Sequence, residues 1–298
     1  MWHRRGVTAV VAAACVLSAI SACQGRSEQE DRRGVDESTS PAAGSPGDHA
    51  EEQETGGSRL PSLEDPRISE SSGIARSNVH DGVYYTHNDR GSPAQLFAVD
   101  HTGTRAVLDL GVTAIDWEDI ASTPDGRLWV ADTGDNEELR TSVSLVVVDE
   151  PDVLVSARLA ATTYNLSYPD GPHDAEALLI DPRDRRVYVV TKAPERGAVY
   201  AAPAQLEGRG PNMLQRVGTA PNNITAGDFA PDGRVVVLRN QGKAFFYRHL
   251  GGTPTEVVLP PQPQGESVAF TADGAHVLLG SEGLHSNLVR LPVPRLED

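Results

Sequence analysis

The chain holds only two cysteines in 298 residues, Cys15 and Cys23, and Cys15 lies inside an N-terminal apolar run. No disulfide can brace the globular part and no thiolate cluster can hold zinc, so the fold must rest on a packed core. Basic residues are also short: 26 Lys and Arg stand against 42 Asp and Glu, a net charge of -16. Such a surface does not neutralise phosphates, which excludes nucleic acid as a partner and favours cations or basic groups. Sustained 3.6-residue periodicity is absent, which excludes a helical bundle. No G-x-S-x-G, S-x-x-K or H-E-x-x-H occurs, removing the readily recognised serine hydrolases and zinc proteases. The acidic string "DTGDNEE" (132–138) lacks the ligand order and closing Glu of an EF-hand.

What is present begins with an export signal. "MWHRRGVTAVVAAACVLSAISAC" has two Arg, a short apolar run and then small residues, too short and Ala-rich for a spanning helix. "ISAC" (20–23) resembles the lipobox of bacterial lipoproteins, and by that resemblance Cys23 is the lipidated, palmitate-bearing first residue of the mature chain. The alternatives are an ordinary cleaved signal peptide or an uncleaved anchor; each places the remainder outside the cytoplasm. Removing residues 1–22 takes two of the 26 basic residues and no acid, leaving 24 against 42 and a net charge of -18. Residues 23–58 are rich in Glu, Ser, Gly, Pro and Gln, a composition that cannot offset the entropy of ordering and reads as a disordered tether. The expected organisation is signal peptide 1–22, lipidated Cys and tether 23–58, and one domain over 59–298, held monomeric at the outer side of a membrane.

Within that domain five segments line up, beginning near Ser71, Trp117, Ala175, Ala226 and Gly265. Each is an apolar strand, a turn built on Asp-Gly, Pro-Asp-Gly or Pro-Arg-Asp, and a second strand rich in Val, Leu or Tyr. A third apolar run follows in every unit and a fourth in four of them. The predicted fold is therefore all-β, a propeller of five four-stranded blades, with six as the alternative if 137–171 hides a further blade. The fifth unit runs out of chain, so a strand from "LPSLEDPRI" (60–68) is expected to complete it and close the ring. A β-sandwich is the rival but does not require a repeated hairpin.

In a propeller the starts of the inner strands and the ends of the second strands share one face. Glu118, Glu176 and Glu266 each precede an apolar residue by two positions, Ile120, Leu178 and Val268; Ser72 holds that place before Ile74, and Asp228 lies one residue nearer its Phe229. Carboxylates crowded on an axis repel by about 3 kcal/mol per pair at 6 Å and an effective dielectric of about 20, so something must compensate. Hard oxygen donors favour calcium, giving a predicted metal site of Glu118, Glu176, Glu266, Asp228 and Ser72. The bland reading is that these acids cap strand ends and pair with Arg. Asn88, Asp132, Asn136, Lys192 and Glu282 fall at ends of second strands and form a predicted ligand rim. His87, Asp89, Asp135 and His173 are the candidates for acid–base work, although a loop His is more often simply hydrogen-bonded. Trp117 and Trp129 read as blade packing.

The strings "ESSGIA", "THND", "DWEDIA", "ADTGDN", "YPDGPHDAEALLID" and "QGESVAF" resemble a family of uncharacterised bacterial propeller proteins, often exported or lipid-anchored. The resemblance spans nearly the whole domain and implies a WD-repeat-like or phytase-like propeller, but no reaction. More distantly, an acid before each inner strand is similar to the layout of five-bladed calcium-activated nucleotidases, with their axial calcium, and to phytase-like and lactonase-like propellers. Two functions stand open: a lipid-anchored binding or scaffold protein that recognises a protein, peptide or cell-wall ligand, and a calcium-dependent hydrolase of a phosphoester or lactone.

Overall fold

Short runs of Val, Ile, Leu and Tyr separated by tight turns leave the backbone one way to satisfy its polar groups, pairing each strand with the next in sequence. A computed structural model shows this outcome and describes residues 60–296. The expected signal peptide, lipidated Cys23 and tether fall outside the described residues. Among these residues there is no helix long and apolar enough to cross a membrane.

The first blade contains β1 (Ser71–Arg76), β2 (Tyr84–Asn88), β3 (Gln95–Asp100) and β4 (Gly103–Asp109). The second contains β5 (Trp117–Thr123), β6 (Arg127–Asp132) and β7 (Val143–Asp149); β8 (Ala157–Arg158) then pairs back, parallel, onto β4, and β9 (Thr162–Ser167) completes the second blade. The third has β10 (Ala175–Ile180), β11 (Val187–Thr191) and β12 (Gly197–Ala201), with β13 (Asn212–Met213) pairing parallel onto β9 before β14 (Gln215–Ala220) closes the sheet. The fourth is β15 (Ala226–Phe229), β16 (Val236–Arg239), β17 (Lys243–Tyr247) and β18 (Thr255–Val258), and the fifth is β19 (Gly265–Phe270), β20 (His276–Ser281) and β21 (Val289–Pro292).

The inner strands contact one another in the cyclic order β1, β5, β10, β15, β19 and back to β1, which makes the structure a five-bladed β-propeller. The stretch 137–171 holds β7, β8 and β9, which belong to the first two blades, so it conceals no sixth. The expected N-terminal closing strand takes a different form. Residues 60–68 form no strand and the fifth sheet has three. Instead Leu60, Leu63 and Ile68 pack with Ile74, Phe97, Ala269 and Leu278 in the seam between first and last blades. "LPSLEDPRI" contains two prolines, which cannot donate to a ladder, so side-chain packing closes the ring.

The core is likewise divided into five apolar clusters, one per seam. All six residues of β10 and of β19 are buried, because each inner strand is covered by neighbours on both sides. The repeated hairpin turn has a shared geometry. Gly82, Gly126, Gly233 and Gly274 occupy it with φ of 73°, 75°, 68° and 65°, and Arg185 takes the same left-handed position in the third blade at φ 60°.

Candidate functional site

The site grows from a repeated irregularity at the top of the inner strands. Pairing with the second strand slips between Ser71 and Ile74, between Trp117 and Asp119, between Ala175 and Ala177, and between Gly265 and Val268. Each slip contains a residue of the predicted ring: Ser72, Glu118, Glu176 or Glu266. A bulge re-aims the side chain it releases, and here four bulges re-aim four oxygen-bearing side chains at equivalent heights.

The fourth blade departs from the expected pattern. Asp119 is fully buried and crosses between blades, its carboxylate accepting from Ile120 N (2.9 Å), Leu178 N (2.9 Å) and Gly227 N (3.4 Å). That bond sets Gly227 level with Leu178, so Thr225 stands where Glu176 stands. Asp228 lies lower. It accepts from Phe229 N and Phe270 N, both at 2.8 Å, and binds β15 to β19. Asp228 is therefore removed from the predicted metal set and Thr225 takes its place. Burial pushes the Asp228 carboxyl up to about 7 against the lowering pull of those two amides.

Glu118, Glu176 and Glu266 are 5%, 4% and 5% exposed. Beside them stand two acids supplied by D-x-E pairs, Asp116 in "DWE" and Asp174 in "DAE", together with Asp89 from the end of β2. Oxygens of Asp89, Asp116 and Glu118 lie within 4.8 Å of one another, and so do oxygens of Glu118, Asp174 and Glu176. Burial and the neighbouring Glu176, Asp89 and Asp116 push the Glu118 carboxyl well above its ordinary range. Burial and Asp89 raise Asp116 to about 6, and burial raises Glu176 to about 8 despite its contact with Lys192. Asp174 and Glu266 are raised by burial as well. Among the described residues no donor reaches the Glu118 carboxylate, and Oε2 of Glu266 is enclosed without a partner. Gly134 keeps this space open: a Cβ there would fall 2.0 Å from Glu118 Oε1 and 2.6 Å from Asp116 Cγ.

The predicted rim divides. Lys192 pairs with Glu176, and Glu282, raised to about 7 by burial and Glu266, accepts from Gln264. Asn136 is exposed. Asp132 turns inward, accepting from Ile115 N (3.0 Å), Asp116 N (3.2 Å) and Arg140 Nη2 (2.7 Å). Asn88 accepts from Ser69 N and Glu70 N and donates to Arg67 O, tying the N-terminal segment to the first blade.

Three of the four acid–base candidates lie outside the acid cluster. His87 is fully buried against Trp117, its pKa lowered by burial to about 4, and a Cβ on Gly73 would lie 2.7 Å from its Nε2. His173 Nε2 contacts Asp170 Oδ1 (3.1 Å) and Tyr200 Oη (3.0 Å) and packs on Tyr168. Asp135 accepts from Leu139 N and Arg140 N while its own N–H donates to Asp174 Oδ1 (2.8 Å). Of the four, only Asp89 faces the acid cluster.

The fold and this mouth together define a class, a five-bladed propeller with a buried carboxylate cluster at one end of its axis. The buried acidic groups are suited by oxygen chemistry to holding a metal ion. No family model matches the chain, and no curated protein sequence matches it.

Proposed function

We propose that the chain is a lipid-anchored, extracytoplasmic propeller that binds a ligand on a top face organised by an axial calcium ion. The observation that carries this reading is the convergence of Glu118, Asp174 and Glu176 within 4.8 Å, with Glu266 beside them holding a buried oxygen that has no donor. All are hard carboxylate donors without Cys or His, the set that suits calcium rather than zinc or copper. Ser72 and Thr225 hydroxyls complete the ring. They donate to Glu118 O (2.7 Å) and Gly265 O (3.2 Å), which leaves their own lone pairs available.

A binding role is favoured over hydrolysis because His87 is enclosed and His173 is engaged by Asp170 and Tyr200, leaving neither histidine free beside the acids. The lipid anchor and membrane location rest on the lipobox resemblance at Cys23. Incorporation of labelled palmitate that is lost in Cys23→Ala supports the anchor, and unchanged incorporation removes it. For the calcium site, the full chain is melted with calcium and with a chelator. A higher melting temperature in calcium is expected; identical melting, with no bound metal by elemental analysis, rejects the site.

A further inference from the structure

The acid cluster is larger than one cation requires. Its two carboxylate triads share Glu118 and use different partners, Asp89 and Asp116 on one side and Asp174 and Glu176 on the other. With Glu266 the six carboxylates, when all are ionised as metal ligands, carry six negative charges. Among the described residues two cationic side chains make ion pairs with them, Lys192 on Glu176 and Arg90, whose Nε is 3.8 Å from Asp116 Oδ1. Arg239, buried beside Glu266 and donating from Nη1 to Ser267 O (3.1 Å) and Gly280 O (3.0 Å), adds a third positive charge. Three negative charges remain when all six are ionised, and one divalent ion cancels two of them.

The side chain at the junction points the same way. Glu118 is 5% exposed, no described donor reaches its carboxylate, and one of its oxygens lies over the backbone of Gly134, where any side chain would displace it. A bridging carboxylate has both oxygens committed to ions and needs no donor. Gly134 leaves that oxygen free to face Asp116.

We propose that the mouth binds two divalent cations, the axial ion and a second held by Asp89 and Asp116, with Glu118 bridging them. This rests on the axial-ion reading and extends it. Asp89 is partly exposed while the other five acids are buried, so the second ion is the outer one, with coordination positions open to a ligand's oxygen groups.

The full chain, stripped with chelator and equilibrated with calcium, is counted by native mass spectrometry and equilibrium dialysis. Two ions are expected for the wild type and one for Asp116→Asn, with the affinity of the lost ion falling at least about tenfold. Asp89→Asn is the second variant, since its partly exposed side chain makes it a milder change to the fold, and it too is expected to retain one tight ion. Glu118→Gln weakens both. One ion in the wild type and still one in Asp116→Asn and Asp89→Asn overturns the second site and leaves the axial reading standing. No ion in the wild type overturns both.

Discussion

Replacing Glu118 by Gln should make the calcium-free protein more stable, the reverse of what removing a buried polar contact does. Glu118 has carboxylate neighbours on two sides, with oxygens within 4.8 Å. At that distance and an effective dielectric of about 20, each ionised pair repels by about 3 kcal/mol. Part of this is relieved by protonation, since burial and like charges raise Asp116, Glu118 and Glu176 together. The Gln amide also gives back about 1 kcal/mol because it enters a buried place with no designed partner. A net gain of about 2 kcal/mol at pH 8 corresponds to a melting temperature higher by roughly 4–8 °C for a domain of this size. The assay is thermal unfolding in chelator at pH 8, followed by far-ultraviolet circular dichroism, with the same pair repeated in excess calcium. In calcium the order should invert, because the wild type gains binding energy that the variant loses. A chelated variant that melts below the chelated wild type would refute the claim that repulsion dominates this cluster.

Raised carboxyl pKa values also set a direction for pH. These groups bind more protons folded than unfolded, so calcium-free stability is highest below the unfolded carboxylate range and is lost as pH rises from about 4.5 to about 8, the value for Glu176; chelated melting temperatures that rise over that window contradict it. Gly134→Ala places a Cβ 2.0 Å from Glu118 Oε1 and should cost calcium affinity at least about tenfold while lowering stability by about 1–3 kcal/mol, measured by titration and denaturant unfolding. Arg185→Gly relieves a left-handed arginine at φ 60° and forfeits only an exposed ion pair to Asp125; a gain of about 0.5–1 kcal/mol is expected in urea unfolding.

The blades were legible because their signals are local. Alternation marks each hairpin and Asp-Gly turns mark four of the five, where the glycines at 82, 126, 233 and 274 adopt the left-handed conformation those turns need. Glu118, Glu176 and Glu266 were legible as equivalent because each precedes its apolar anchor by the same two residues. Thr225 was missed because its blade was registered on Phe229 rather than on the hairpin turn: it lies six residues before Pro231, as Glu118, Glu176 and Glu266 lie six before Pro124, Pro182 and Ala272, and Asp119 reaching across to Gly227 N confirms that register. Asp228 was misplaced for the same reason. Asp132 read as a rim residue and Asp135 as an acid–base candidate because acids at strand ends usually meet water; here Arg140 and the amides at 115, 116, 139 and 140 draw them inward. His87 ends a strand in "THND", but β1 passes so close at Gly73 that the ring is sealed in. The D-x-E repeat in "DWE" and "DAE" was the available signal for the paired acids Asp116 and Asp174.

The claim at the centre of this account is that a hard cation binds against Glu118, and Trp117, buried one residue away, supplies the reporter. Terbium, which replaces calcium at oxygen sites and emits when a nearby tryptophan is excited, should give saturable green emission with the full chain. Calcium should displace it, Trp117→Phe should abolish it, and Glu118→Gln should shift it to higher terbium concentration. Emission that is absent in the wild type, or that titrates unchanged in Glu118→Gln, would contradict binding against Glu118.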